Sequence, residues 1–182
     1  LTVASFVMWF LFPFYVADVM GRSGLTLGAL LALMAGMNFI GSGIAGWLAD
    51  RAGDRPITFI GTILTAVGLA MAGTAGENPE MGRVVISTAV LGLGFGIHQA
   101  AVYALTLRGT PSEHAGSTSA ALTVSQTIGT VMSIALMTSL LNWRQDSQNA
   151  TFAEAYQFAY FTAAGIALVS GVIVIRIRRN FR

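Results

Sequence analysis

Few side chains in this chain could do chemistry, and most of them sit inside long apolar runs. His98 is the ionisable group placed well inside such a run, and an imidazole with an ordinary pKa of about 6.5 can carry a proton at physiological pH. A neutral histidine satisfied by hydrogen bonds explains it equally, so both readings stand. Gln126 centres a stripe of Ser119, Thr123, Gln126, Thr130 and Ser133 at helical spacing. Its amide is the candidate for substrate contact, whereas the hydroxyls read as packing or as bonds to their own backbone. Asn38 heads a small, weakly polar face with Ser42, Gly46 and Ala49. Close helix packing accounts for the small residues, but an amide in an apolar segment needs a partner, in a cavity or on a neighbouring helix. Gln99 and Tyr103 share a face with Gly96 and could line the same cavity; Gly92 and Gly96 read first as close-approach glycines. Tyr15 ends an aromatic run of Phe6, Trp9, Phe10, Phe12 and Phe14 around Pro13, flat surfaces suited to greasy or cationic aromatic ligands. Lipid-facing bulk is the plainer account of those rings. Asp18 could pair with Arg22 at i,i+4, or serve as a protonatable, cation-attracting carboxylate at a cavity mouth.

Several chemistries are excluded, and an intramembrane hydrolase remains only as a poorly supported alternative. There is no cysteine, hence no disulfide scaffold and no thiolate metal site or nucleophile, and no metal or other cofactor is implied. The formal charge of +2 is too small to suggest nucleic-acid binding. No Walker motif is present, so a gradient must drive any pumping by this polypeptide. An intramembrane serine hydrolase would have to pair Ser42, in Gly41-Ser42-Gly43, with His98, and the signature residues that should accompany such a pair are missing. Thr110-Pro111-Ser112-Glu113 and Thr151-Phe152-Ala153-Glu154 read as capping boxes, which makes Glu113 and Glu154 structural. The sequon Asn149-Ala150-Thr151 lies tight against the last apolar segment and is read as chance.

The elements that must hold these residues follow from composition. Hydrophobic residues make up 54% of the chain and charged ones 10%, against roughly a quarter charged in soluble domains. Six apolar segments, about 1–20, 25–49, 57–75, 84–107, 115–141 and 152–177, each approach the ~20 residues of a membrane-spanning helix. Nearly all charges fall in the short connections, and strand-like alternation is absent, so an all-α polytopic membrane protein is predicted. The basic residues are all arginine. Arg51, Arg55, Arg108, Arg176, Arg178, Arg179 and Arg182 fall on one side, and Arg22, Arg83 and Arg144 on the other. This imbalance puts the first side, with the C-terminus, in the cytoplasm, in a plasma membrane read as a bacterial inner membrane. The chain begins at Leu1 inside an apolar run, without an initiator Met or signal-peptide n-region, and reads as the C-terminal part of a longer protein.

One connection carries a signature. Gly46-Trp47-Leu48-Ala49-Asp50-Arg51-Ala52-Gly53-Asp54-Arg55 resembles the G-x-L-x-D-R-x-G-R-R loop of the major facilitator superfamily of transporters, matched at Gly46, Leu48, Asp50, Arg51, Gly53 and Arg55. Asp54 stands where that pattern has a second basic residue. The Phe12–Tyr15 run with Val19-Met20-Gly21, the glycine-rich Gly92–Gly96, the spacing of Pro111, Gly116, Ser119, Gln126 and Gly129, and Phe152–Tyr156 are similar to segments of the fourteen-helix drug:proton antiporter branch. That branch often has glutamine near Asp18. The resemblance implies one six-helix half of a transporter, built of two inverted three-helix repeats, with substrate bound near the midplane against an N-terminal half absent from this sequence. Helices one, two, four and five would face the cavity or that half, with three and six peripheral. It further implies proton-coupled efflux of drugs or other lipophilic or cationic small molecules by alternating access, no enzymatic activity, and a gating role for Asp50, supported by Arg51 and Arg55, against a helix end of the other half. The alternatives are transport of a specific small metabolite and, for Asp50, a plain topology determinant.

Overall fold

In lipid the backbone must satisfy itself, and these apolar segments do so as helices. The computed structural model describes residues 2–75, 80–148 and 151–176. Helix α1 spans Thr2–Phe14 and continues as a π-turn over Tyr15–Val19; α2 spans Gly24–Ala52, α3 Asp54–Gly73, α4 Met81–Arg108, α5 Ala115–Gln148 and α6 Phe152–Arg176. A 3-10 turn at Ser112–His114 precedes α5. Five of the helices are long and apolar enough to cross a bilayer, and Met8–Val19 adds a shorter apolar stretch. The predicted six-helix, all-α architecture is therefore what forms.

Some boundaries differ from those predicted, each for a local reason. Pro13 removes a helical N–H donor, and the chain widens into the π-turn, closed by Met20 N–H donating to the Tyr15 carbonyl at 3.0 Å. Gly21 then takes a positive φ of 57°, which ends the helix. Arg22 is thus off the helix, and the Asp18–Arg22 pair does not form; both ion pairs among the described residues belong to Arg108. Helix α5 runs past position 141 to Gln148, because Asn142–Gln148 contains neither Gly nor Pro to stop it. The overhang is held by Trp143 and Arg144, both packed against Phe158 of α6. The capping box at Thr151 is present: Thr151 N–H donates to Glu154 Oε2 at 3.0 Å, and Glu154 N–H to Thr151 Oγ1 at 3.3 Å. The one at Thr110 is not, since Thr110 Oγ1 donates back to the Thr106 carbonyl and Glu113 sits in the 3-10 turn. Asn149, Ala150, Arg178, Arg179 and Arg182 lie outside the described residues.

Packing centres on α4, which lies against α2 on one side and α3 on the other. Gly92 and Gly96 meet the α2 backbone at Met34 and Asn38, while Gly94 meets α3 at Leu64 and Thr65. Gly41 on α2, and Gly61 and Gly68 on α3, return the contact. A Cβ at any of these would collide with facing backbone, so the axes approach as closely as helices can. On the other side of the bundle α1 packs on α5 and α6 through larger side chains, including a Tyr15–Tyr156–Tyr160 stack with ring centroids 4.1 and 4.2 Å apart. The principal pairings map onto each other when α1, α2 and α3 are exchanged with α4, α5 and α6: α2–α4 becomes α5–α1, and α3–α6 becomes itself. The related contacts are lopsided, glycine-tight around α4 and looser around α1.

Candidate functional site

Between the tight and loose sides lies a cleft of about 860 Å³. Its walls come from α1 (Trp9), α2 (Met34, Asn38), α4 (Leu91 to Val102) and α5 (Leu122 to Thr130). Among the described residues, helix α3 contributes no lining residue and α6 contributes Ser170 alone. Asn38, His98, Gln99 and Gln126 bring polar groups to it. His98 lies ten residues before the end of α4 and Gln126 eleven after the start of α5, about 15 Å along each axis, so the polar groups sit near half the depth of a ~30 Å hydrocarbon core. The volume falls in the range of small-molecule sites. Among the described residues, no Asp, Glu, Lys or Arg lines it.

His98 is held from behind by α3. Its Nδ1 lies 3.0 Å from Thr62 Oγ1 and 3.4 Å from the Thr58 carbonyl. It reaches α3 because Gly61 lets the backbone of His98 approach without a side chain between them. Ser42 Oγ instead donates to the Phe39 carbonyl at 2.8 Å, so the structure does not bring Ser42 and His98 together. Gln126 accepts a hydrogen bond from Tyr103 Oη at 3.1 Å, joining α4 to α5 where they otherwise touch little. The hydroxyls flanking Gln126 bond their own helix: Ser119 to Ala115, Thr123 to Ser119, Thr130 to Gln126. Ser133 is buried without a partner among the described residues. Tyr103 sits one turn nearer the end of α4 than Gln99 and acts on the cleft through Gln126. Tyr15 is turned into the α6 stack and does not line the cleft, and Asp18 is exposed in the π-turn.

The signature turn forms a second constellation. Gly53 alone joins α2 to α3, with φ 86° and ψ 157°, a conformation that needs glycine. The junction sets Asp50 and Asp54 side by side at the end of α4. Arg108 Nη2 donates to Asp50 Oδ1 at 2.9 Å, and Arg108 Nε lies 3.7 Å from Asp54 Oδ2. Asp54 is buried, at the positive end of α3, and its Oδ1 makes no hydrogen bond among the described residues. Arg51 lies over the Trp47 ring at 3.7 Å, while Gly46 and Arg55 are exposed. Asp50 therefore has a partner inside this chain. Sequence reasoning counted Arg108 only as a topology marker; the signal it missed was two acids in one turn, which call for a cation at the same membrane face.

The family model described as Major Facilitator Superfamily matches residues 1–181. The chain is 25% identical over 93% of its length to the uncharacterized MFS-type transporter YwoD of Bacillus subtilis. It is 31% identical over 63% to a triacylglyceride transporter of Mycolicibacterium smegmatis, and 29% identical over 74% to efflux pump DEP3 of Fusarium langsethiae. It spans 35%, 22% and 25% of the lengths of those three proteins.

Proposed function

The chain belongs to the major facilitator superfamily, and from that premise we propose that it forms the C-terminal six-helix half of a proton-coupled exporter of lipophilic or cationic compounds. The observation that carries this reading is the mid-depth cleft, walled by α1, α2, α4 and α5 and lined by aromatic and aliphatic side chains, Ser and Thr hydroxyls, three amides and one imidazole. Such a surface binds greasy molecules by area and orients them by few polar contacts. A relative named as a triacylglyceride transporter supports a lipophilic cargo, and one named as an efflux pump supports export. Cation–π contact with Trp9 is the means by which a cation would be held. A specific metabolite would demand more free polar donors than this wall offers, since its Ser and Thr hydroxyls already donate to their own helix backbone.

His98 is the proposed proton carrier and Asp50 the proposed gate residue at the cytoplasmic face. In this conformation Asp50 is held by Arg108, so an exchange of Asp50 between Arg108 and a helix end of the N-terminal half would accompany the change of state. The proposed location is a bacterial inner membrane with the C-terminus inside, supported by the arginine imbalance and by bacterial relatives. The test is the full-length protein in vesicles loaded with a lipophilic dye under an imposed pH gradient. Efflux that follows the gradient and collapses with an uncoupler is expected; efflux indifferent to the gradient overturns proton coupling.

A further inference from the structure

His98 and Gln126 enter the cleft with their hydrogen-bonding roles already decided. The Thr62 hydroxyl gives its hydrogen to the Thr58 carbonyl at 2.8 Å, so Oγ1 offers only lone pairs to His98 Nδ1 at 3.0 Å. The Thr58 carbonyl, 3.4 Å from the same nitrogen, can only accept. A hydrogen on Nδ1 serves both oxygens at once, so the neutral ring is assigned as the Nδ1–H tautomer, with its lone pair on Nε2. Nε2 has no hydrogen-bond partner among the described residues, and His98 lines the cleft. On α5, Tyr103 occupies Gln126 Oε1, which leaves the Gln126 amide N–H groups as donors to the same space. His98 Nε2 thus offers a lone pair and Gln126 a donor to the same space, beside the Asn38 and Gln99 amides, and no Asp, Glu, Lys or Arg is among the described lining residues.

We propose that His98 Nε2 accepts a hydrogen bond from an uncharged amphipathic substrate bearing an amide N–H, and that proton and substrate compete for this single lone pair. The substrate donates to Nε2, and its carbonyl or ether oxygen accepts from Gln126. A proton from water binding Nε2 forms one N–H bond and breaks none in the protein. Both ring nitrogens then donate, a donor faces a donor, and the substrate is released. The other groups around His98 leave this titration to it: Thr58 and Thr62 on α3, Asn38 on α2, Gln99 on α4 and Gln126 on α5 carry no titratable proton. Tyr103 is committed to Gln126. Asp54, one turn before Thr58, is turned to Arg108 together with Asp50 at the membrane face.

This inference rests on the proton-coupled reading, and it is tested by equilibrium binding to the full-length protein with no gradient present. The probes are decanamide, its N,N-dimethyl analogue, which lacks the donor, and the decyltrimethylammonium cation, followed from about pH 8 to about pH 4. Competition predicts decanamide affinity falling about tenfold per pH unit below the His98 midpoint, while the dimethyl analogue binds roughly fivefold more weakly at high pH and without that slope. His98→Gln, whose amide oxygen still accepts, should bind decanamide with the pH dependence gone. A pH-independent wild type, a slope surviving in His98→Gln, an equal slope for the two amides, or binding of the cation alone each overturns the proposal. The amide pair is compared on the unmutated protein, so the answer does not depend on a variant folding. Gradient-driven efflux is scored separately: its failure with competition intact sinks the transport reading, and the reverse result sinks this one.

Discussion

At the scale of the residue, Asp54 shows how a departure from a sequence pattern acquires a physical cause. A second basic residue in the turn would face Arg108 at close range; an acid there faces its counter-charge and the positive end of α3. Asp50 and Arg108 should then behave as a pair. Asp50→Asn and Arg108→Gln are each expected to lower transport in the full chain while leaving membrane insertion intact, and the exchange Asp50→Arg with Arg108→Asp to recover part of it. Dye efflux against protein level in the membrane checks this; full activity of Asp50→Asn ends the proposed gating role. In the cleft, Gln126→Ala removes one hydrogen bond and should weaken binding by about 1 kcal/mol, roughly fivefold, in a titration of solubilised protein. Tyr103→Phe should do less, since it frees Gln126 without removing it. The polar residues of the cleft were legible because an amide or imidazole in an apolar run stands out. Thr62 was not, because a threonine that bonds its own helix looks the same in sequence as one that also anchors a histidine.

At the scale of the element, the helices themselves were readable from apolar run length, since lipid leaves the backbone no other option. What escaped was set by local competition: the π-turn after Pro13, and an α5 that overruns the apolar stretch because nothing in Asn142–Gln148 halts it. The alternate glycines of α4 divide their work, Gly92 and Gly96 toward α2 and Gly94 toward α3, a two-sided use that the small-residue pattern only half announces. Gly96→Ala should force its Cβ into the Asn38 carbonyl and cost about 1–3 kcal/mol, seen as a lower unfolding temperature in detergent. Gly165→Ala, where the space is open, should be silent. Gly53→Ala carries a backbone penalty of about 1–3 kcal/mol and should disturb the Asp50–Asp54–Arg108 cluster with no loss of apolar packing.

At the scale of the whole molecule, the positively charged connections predict that a reporter fused after Arg182 is accessible only from the cytoplasm, while a tag at Arg83 or Arg144 is accessible from outside; labelling of intact cells with an impermeant reagent checks both. The lopsided packing has its own consequence, in the order of assembly. Helices α2, α3 and α4 follow one another in the chain and pack together as soon as the third of them enters the membrane. Helix α1 is made before them, yet its main partners here, α5 and α6, are made last. Within this chain it must wait in lipid through most of synthesis, with the Tyr15 face that will meet Tyr156 turned to acyl chains or to the insertion machinery. Damage to that tyrosine stack should therefore appear as protein lost during biogenesis, before any effect on the cargo moved by the molecules that survive.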